Sequence, residues 1–249
     1  MEFVFENNGL PVRARFSQEN VDELFLPLLR RLTALRRGKG RRVLAMLAAP
    51  PGAGKSTLAA FLQALAVKAG EREEILPLTV IGMDGFHRRQ ADLLAHTTVR
   101  DGVEVPLVKI KGAPETFDLK ALQAAVARVA AGEECGWPRY DRLLHDPVED
   151  ALRVTGEVVL LEGNYLLLDE AGWKELRECA DYTIALTAPL DLLRARLVAR
   201  HMESGKPPEA AEDFVDRSDL VNARQCLERA LPADLRLALR ADDSFERLA

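Results

Sequence analysis

The chain has 249 residues, 48% of them hydrophobic and 29% charged, which is material enough for a buried core in one α/β domain. Its formal net charge of −5 gives no basis for a nucleic-acid or anionic-membrane surface, and its longest apolar runs are too short to cross a bilayer. No signal sequence opens the chain, and Cys135, Cys179 and Cys226 are widely spaced without a C-x-x-C pair, so a cytoplasmic enzyme with reduced thiols is the expectation.

In chain order, residues 2–16 (EFVFENNGLPVRARF) read as a β-hairpin turning at Asn8-Gly9. Ser17 caps a helix with Val21, Leu24, Leu28, Leu32 and Leu35 on one side, and Pro27 predicts a kink or restart within it. The basic run RRGKGRR, 36–42, reads as a solvated linker. This gives an N-terminal extension over 1–40 and a main domain over 41–249. Short apolar strands are then expected at 43–48, 75–83, 158–162, 182–187 and 235–239. Between them, Asp118 caps a helix with Leu119, Leu122, Val126 and Val129 facing inward and Gly132 ending it, and another helix runs from Pro189 to near Gly205. The alternation predicts a five-stranded, mainly parallel sheet covered on both faces, a three-layer α/β fold.

The first of these strands leads into AAPPGAGKSTL. Gly52, Ala53, Gly54, Lys55, Ser56 and Thr57 fit the end of the phosphate-loop rule G-x-x-x-x-G-K-[ST], with Ala49 where the rule has its first glycine. Gly52 and Gly54 permit the backbone angles that turn successive N–H groups onto an anion. Lys55 supplies charge to the β/γ-phosphates of a nucleoside triphosphate, and Ser56 stands at the magnesium-ligand position. Alanine serves at position 49 if φ is negative there. Two more apolar strands end in carboxylates, VIGMDGFH in Asp84 and VVLLEGNY in Glu162, and both are expected at the mouth of the ligand crevice. A carboxylate there can accept a hydroxyl proton as the oxygen attacks phosphorus. Arg196 and Arg200 are four residues apart on one helix face, and their forks suit a phosphate whose charge is shared out in transfer.

With the phosphate loop, KGAPETFD (111–118) and WPRYDRLLHDP (137–147), this order of segments resembles the P-loop kinase family of uridine kinase, phosphoribulokinase and bacterial pantothenate kinase, in its nucleoside/nucleotide kinase-like branch. The resemblance spans about residues 43–203. It implies that Asp84 is the catalytic carboxylate and that Glu162 acts near magnesium. It also implies that residues 85–150 form an acceptor insert in which His87, Arg88, Lys111, Tyr140, Asp141, Arg142 and His145 meet the substrate, with Lys111 in reach of the phosphates. Residues of about 194–222 would form a lid carrying Arg196 and Arg200, with SGKPP (204–208) as its hinge. Asn222 either reaches the nucleotide base or caps a helix. His96 and His201 are expected at the surface, and Trp137 and Trp173 in the core or cleft wall. The expected activity is transfer of the γ-phosphate of ATP, with Mg2+, to a hydroxyl of a small metabolite: a nucleoside, a sugar or a pantothenate-like compound. The rival is a regulatory or chaperone-like nucleoside triphosphatase acting on a protein. No nucleic-acid or membrane partner is expected, and a homodimer is left open.

Overall fold

Two antiparallel strands open the chain, β1 (Glu2–Asn7) and β2 (Leu10–Arg15). A computed structural model describes residues 2–7, 10–100 and 102–249, so the expected Asn8-Gly9 turn lies outside the described residues. The Ser17 hydroxyl then caps a helix by accepting from the Asn20 N–H at 3.0 Å. The helix begins as α1 (Gln18–Asn20), widens into a π turn over Val21–Phe25 and restarts as α2 (Leu26–Lys39), with Pro27 in the first turn of the restart, where a missing N–H is tolerated.

The basic run is not a solvated linker. Helix α2 continues into it as far as Lys39 and ends on Gly40, whose φ of 64° is the left-handed C-cap conformation. Arg42 is only 8% exposed, and its guanidinium donates to the carbonyls of Gly156 at 2.8 Å, Val129 at 3.3 Å and Glu133 at 2.5 Å. Lys39 and Arg41 donate to the Asp181 carboxylate at 2.6 and 2.7 Å, and Asp181 also accepts from the Leu44 N–H at 3.0 Å. Several chain segments meet here, and their carbonyls and one buried carboxylate need donors that loop backbone does not supply.

The main domain follows as β3 (Val43–Ala48), α3 (Lys55–Glu73), β4 (Leu78–Gly82) and α4 (Gln90–Ala95). Then come β5 (Thr97–Arg100), β6 (Val103–Pro106), α5 (Leu119–Ala130) and the hairpin β7 (Cys135–Asp141) and β8 (Asp146–Val154). The chain ends with β9 (Val158–Gly163), β10 (Tyr182–Thr187), α6 (Leu190–Glu203), α7 (Pro208–Phe214), α8 (Leu220–Glu228), β11 (Leu235–Leu239) and β12 (Phe245–Leu248).

The central sheet has the order β12-β11-β10-β3-β9-β4. The five expected strands form its parallel core, and β12 adds a sixth, antiparallel edge. Strand β4 starts at Leu78 rather than at Ile75, just after Pro77, which has no N–H for the ladder. One face of the sheet buries residues of α2, α3 and α6, and the other buries α5 with Trp137, Tyr165 and Trp173. The N-terminal extension belongs to the first of these cores. Phe16 stacks on Phe61 of α3 with ring centroids 3.8 Å apart, and Asn20 exchanges two hydrogen bonds with the Phe245 backbone of β12 at 2.7 and 2.9 Å. Among the described residues no helix is long and apolar enough to cross a membrane.

Two outcomes test the basic clamp. Replacing Arg42 by Met should lower stability by about 2–3 kcal/mol, the scale for losing charged hydrogen bonds to buried carbonyls, while Arg37→Ala, whose partner pair is exposed, should stay within about 0.5 kcal/mol; urea unfolding measures both. Burial alone would raise the Asp181 pKa, but the bonds from Arg41, Lys39 and the Leu44 N–H outweigh it and hold it below the ordinary aspartate value. Its stabilising contribution is therefore complete above about pH 4 and lost as pH falls through the lowered value. The unfolding midpoints of wild type and Asp181→Asn should differ by a constant gap above about pH 4 and converge as pH falls below it, through the lowered value; a gap that stays constant on acidification would contradict this assignment.

Candidate active site

Strand β3 is buried along its whole length, and pairing continues one residue beyond it through the Ala49 N–H donating to the Gly163 carbonyl at 3.3 Å. Ala49 is 3% exposed and is not among the residues with positive φ, so the position needs a small side chain and not a glycine. Gly52 and Gly54, with φ of 83° and 79°, do need to be glycine. Ala53 between them is fully buried, and α3 begins at Lys55. The result is a turn of backbone N–H groups closing onto the N-terminus of a long helix, with Lys55, Ser56 and Thr57 in its first turn: a cradle for an anion. A Cβ on Gly52 would meet Leu197 Cγ at 3.0 Å and the Leu193 carbonyl at 3.3 Å, so the loop lies directly against α6.

The strand order sets what faces this cradle. Strand β9 lies between β3 and β4, and Glu162 pairs with Leu47 on one side and Gly82 on the other. Its carboxylate accepts from the Ser56 hydroxyl at 2.8 Å. Asp84 follows β4 in the tight turn Met83–Phe86. That turn is held by hairpin β7–β8: the Trp137 indole donates to the Gly82 carbonyl at 2.8 Å, and a Cβ on Gly85 would lie 2.1 Å from the Pro138 carbonyl oxygen. Trp137 is fully buried and Trp173 nearly so, both walls of the core beneath the cleft.

The two carboxylates are driven apart. Burial pushes Glu162 up, and the charge of Asp84 adds to it against the pull of Lys55, the Ser56 bond and Arg142. Burial also acts to raise Asp84, but the positive charges around it prevail and hold it below the ordinary aspartate value. His87 is the largest of these charges, followed by Lys55, Arg142 and Arg200, and its own pKa is pulled down by burial against the opposing charge of Asp84. Asp84 is thus a carboxylate, the protonation state of a base.

The remaining expected residues divide into groups. His87, Lys111, Tyr140 and Arg142 gather around Asp84: the His87 ring stacks on Phe117 at 3.9 Å and meets Tyr140 edge-on at 5.2 Å, and the Lys111 ammonium lies 5.3 Å from the Tyr140 ring centre. Lys111 donates to Gln90 Oε1 at 2.7 Å and to the His145 carbonyl at 3.1 Å, which ties it to the start of α4 and the β7–β8 hairpin. Arg200 stands in the field of Asp84, Asp219 and Arg142, and an Arg196 guanidinium nitrogen lies 3.7 Å from where a Gly54 Cβ would be. Others are not brought in. Arg88 turns out to pair with Asp92 at 3.1 Å, and Asp141 accepts from the Leu143 and Leu144 N–H groups at 2.8 and 2.9 Å, shaping the hairpin tip. His145 is exposed and contributes its carbonyl to Lys111. Asn222 is not a helix cap: it sits inside α8, 3% exposed, with its amide nitrogen 3.7 Å from a Cβ built on Gly112.

Some polar groups beside the site have no signal in the sequence spacing. His96 is exposed as expected, but His201 is not a surface residue: it is half-buried, bonded to Asp219 at 2.7 Å and approached by the Lys206 ammonium at 3.2 Å, because the end of α6 folds back onto the start of α8. Arg196 forms an ion pair with Asp243 in the β11–β12 turn. Two buried polar atoms, His87 Nδ1 and Asn164 Oδ1, have no hydrogen-bond partner among the described residues.

No family model matches the chain. It is 41% identical over 229 residues to the uncharacterised protein YggC of Escherichia coli K12, a match covering 92% of this chain and 91% of that one. It is 33% identical over 190 residues to a Schizosaccharomyces pombe protein named "Putative uridine kinase", covering 73% and 77% of the two chains. Among solved structures, that of a "putative fructose transport system kinase" from Silicibacter sp. TM1040 superposes with a TM-score of 0.70 at 35% identity, over 82% of this chain and 98% of that one. With the cradle, the two strand-end carboxylates and these likenesses over most of its length, the chain belongs to the P-loop kinase family that includes uridine kinase, phosphoribulokinase and pantothenate kinase.

Proposed function

We propose that the protein transfers the γ-phosphate of ATP to a hydroxyl group of a small metabolite. The observation that carries this reading is Asp84: a carboxylate just past β4, held ionised by the charges of His87, Lys55, Arg142 and Arg200, with the His87 ring meeting that of Tyr140 at 5.2 Å. A triphosphatase needs only a residue to place water, and has no use for the further group of His87, Lys111, Tyr140 and Arg142 beside Asp84. The N–H cradle of residues 52–57 holds the β- and γ-phosphates, with Lys55 supplying a fixed positive charge. Asp84 takes the proton of the acceptor hydroxyl as its oxygen bonds to phosphorus and the bridging oxygen leaves with ADP. Arg200 and Arg196 lie on the lid helix α6, where their forks meet charge that spreads over the phosphoryl oxygens.

The donor set also fits Mg2+. Among the described residues no three His, Cys, Asp or Glu side chains cluster as a metal site, and magnesium in such enzymes needs only one or two protein ligands beside the phosphates. The Ser56 hydroxyl and Glu162, already 2.8 Å apart, are the residues to hold it, Glu162 directly or through water. When bound, the ion would neutralise phosphate charge.

Three substitutions separate these roles. Lys55→Ala should remove most turnover, whereas Ala49→Gly should leave ATP affinity nearly unchanged. Asp84→Asn keeps the shape and loses the base, so ATP binding should persist while kcat falls on the order of a hundredfold or more; Glu162→Gln should instead raise the magnesium concentration needed for half-maximal rate. Full transfer activity in Asp84→Asn would place the base elsewhere. Arg200→Ala should lower kcat more than it raises the KM for ATP, because its contact strengthens as charge moves in the transition state. The reading as a whole is tested by ATP consumption with and without hydroxyl metabolites: low basal turnover that rises with one acceptor supports a kinase, and high turnover indifferent to acceptors supports the triphosphatase.

A further inference from the structure

Beside the crevice, two cations, Arg142 and Lys111, have no carboxylate in hydrogen-bond contact among the described residues. Asp141 accepts from the Leu143 and Leu144 N–H groups at 2.8 and 2.9 Å, and Asp146 accepts from the Gln90 N–H at 2.6 Å. Asp92 and Glu149 pair with Arg88 and Arg89 at 3.1 and 3.3 Å. Arg142 has no hydrogen bond or ion pair among the described residues. Among the described residues Lys111 donates only to neutral oxygens, those of Gln90 and His145, and feels Asp146 through space.

Arg142 differs from an ordinary surface arginine in where the fold puts it. The Trp137–Gly82 bond and the close approach of Pro138 to Gly85 fix β7 against the Met83–Phe86 turn. Two residues beyond Pro138, Tyr140 meets the His87 ring at 5.2 Å, and Arg142 follows at the start of the hairpin tip. Its charge acts on Asp84, His87, Glu162 and Arg200 at once. Lys55 and Arg200 already serve the triphosphate, so Arg142 and Lys111 are cations left over on the side where the acceptor must enter.

We infer that the acceptor is itself an anion, and that Arg142 and Lys111 bind a carboxylate or phosphate group on the hydroxyl-bearing metabolite. This rests on the kinase reading above. An arginine fork suits either group, and the lysine adds a point charge beside it. The orientation follows from repulsion: Asp84 and Glu162 exclude the anionic end from the inner crevice, so that end lies at the hairpin while the hydroxyl faces Asp84.

The test uses matched acceptors with ATP and Mg2+: ribose, ribonate and ribose 5-phosphate; erythritol, erythronate and erythrose 4-phosphate; pantothenol and pantothenate. The charged member of a set should be used with a kcat/KM at least on the order of tenfold above the neutral one, and the better arm, carboxylate or phosphate, identifies the group. Arg142→Met should reduce that preference on the order of ten- to hundredfold, mainly through the acceptor KM, with Arg142→Lys and Lys111→Met intermediate; thermal melting of each variant checks its fold. Equal use of the neutral member, or a preference that Arg142→Met leaves intact, would overturn the inference while the kinase reading stands. A rise in the KM for ATP with the acceptor KM unchanged would assign Arg142 to the triphosphate and overturn it as well. If no acceptor lifts turnover above the basal rate, the kinase reading fails and the inference fails with it.

Discussion

The site depends on strand β9 lying between β3 and β4. That order places Glu162 in register with Leu47, at the end of the loop-bearing strand, and with Gly82, just before Asp84. One carboxylate then hydrogen-bonds the Ser56 hydroxyl, and the other stands near His87 and Arg142. Two carboxylates this close raise each other's pKa unless cations intervene. Burial raises both and Lys55 lowers both; Asp84 is held lower because His87 and Arg200 pull on it as well, while Glu162 is pushed further up by the charge of Asp84. Parallel strands connected by crossovers are what bring residues so far apart in sequence to one edge.

The rest of the fold holds that edge. The Phe16, Phe25, Phe61 and Phe245 cluster fixes α3, which carries Lys55 and Ser56, against the N-terminal helix and the edge strand. The Arg42 and Asp181 contacts secure the opposite, amino-terminal ends of β3 and β9. The α6–α8 side adds surface contacts to its buried ones. Arg194 joins α6 to Glu212 and Asp216 through exposed ion pairs of 3.0 and 2.7 Å, and exposed pairs contribute little. Buried Leu193, Leu197, Ala211, Val215 and Ala223 carry most of this side's attachment, and Gly205, with φ of 92°, marks the turn after α6.

The chemistry-bearing half of the site was legible from spacing because its constraints are local. A phosphate cradle needs glycine at two fixed positions and Lys-Ser just after, and a crevice carboxylate need only follow an apolar strand. Ala49 was decided by a backbone angle that a short side chain satisfies. What stayed hidden depends on contacts distant in the chain. Arg42 looks like any basic linker residue until three carbonyls close around it. His201 reads as a surface histidine until Asp219 arrives from the next helix. Strand β12 is four residues long with two exposed side chains, too short for a clear alternation, and is set by pairing with β11. Arg88 and Asp141 matched a segment pattern, yet their side chains are taken up by a nearby carboxylate and a hairpin turn.

The central claim, that Ser56 and Glu162 form the metal end of the crevice and Asp84 the acceptor end, is tested most directly by a crystal structure with Mg2+ and a non-hydrolysable ATP analogue. The account predicts the ion at about 2.1 Å from Ser56 Oγ, Glu162 bound to it or to one of its waters, Lys55 on the β/γ-phosphates, and Asp84 free of the ion with its carboxylate facing the terminal phosphate from the side of His87 and Tyr140. An ion ligated by Asp84 with Glu162 turned away, or a triphosphate lying outside the 52–57 cradle, would contradict it.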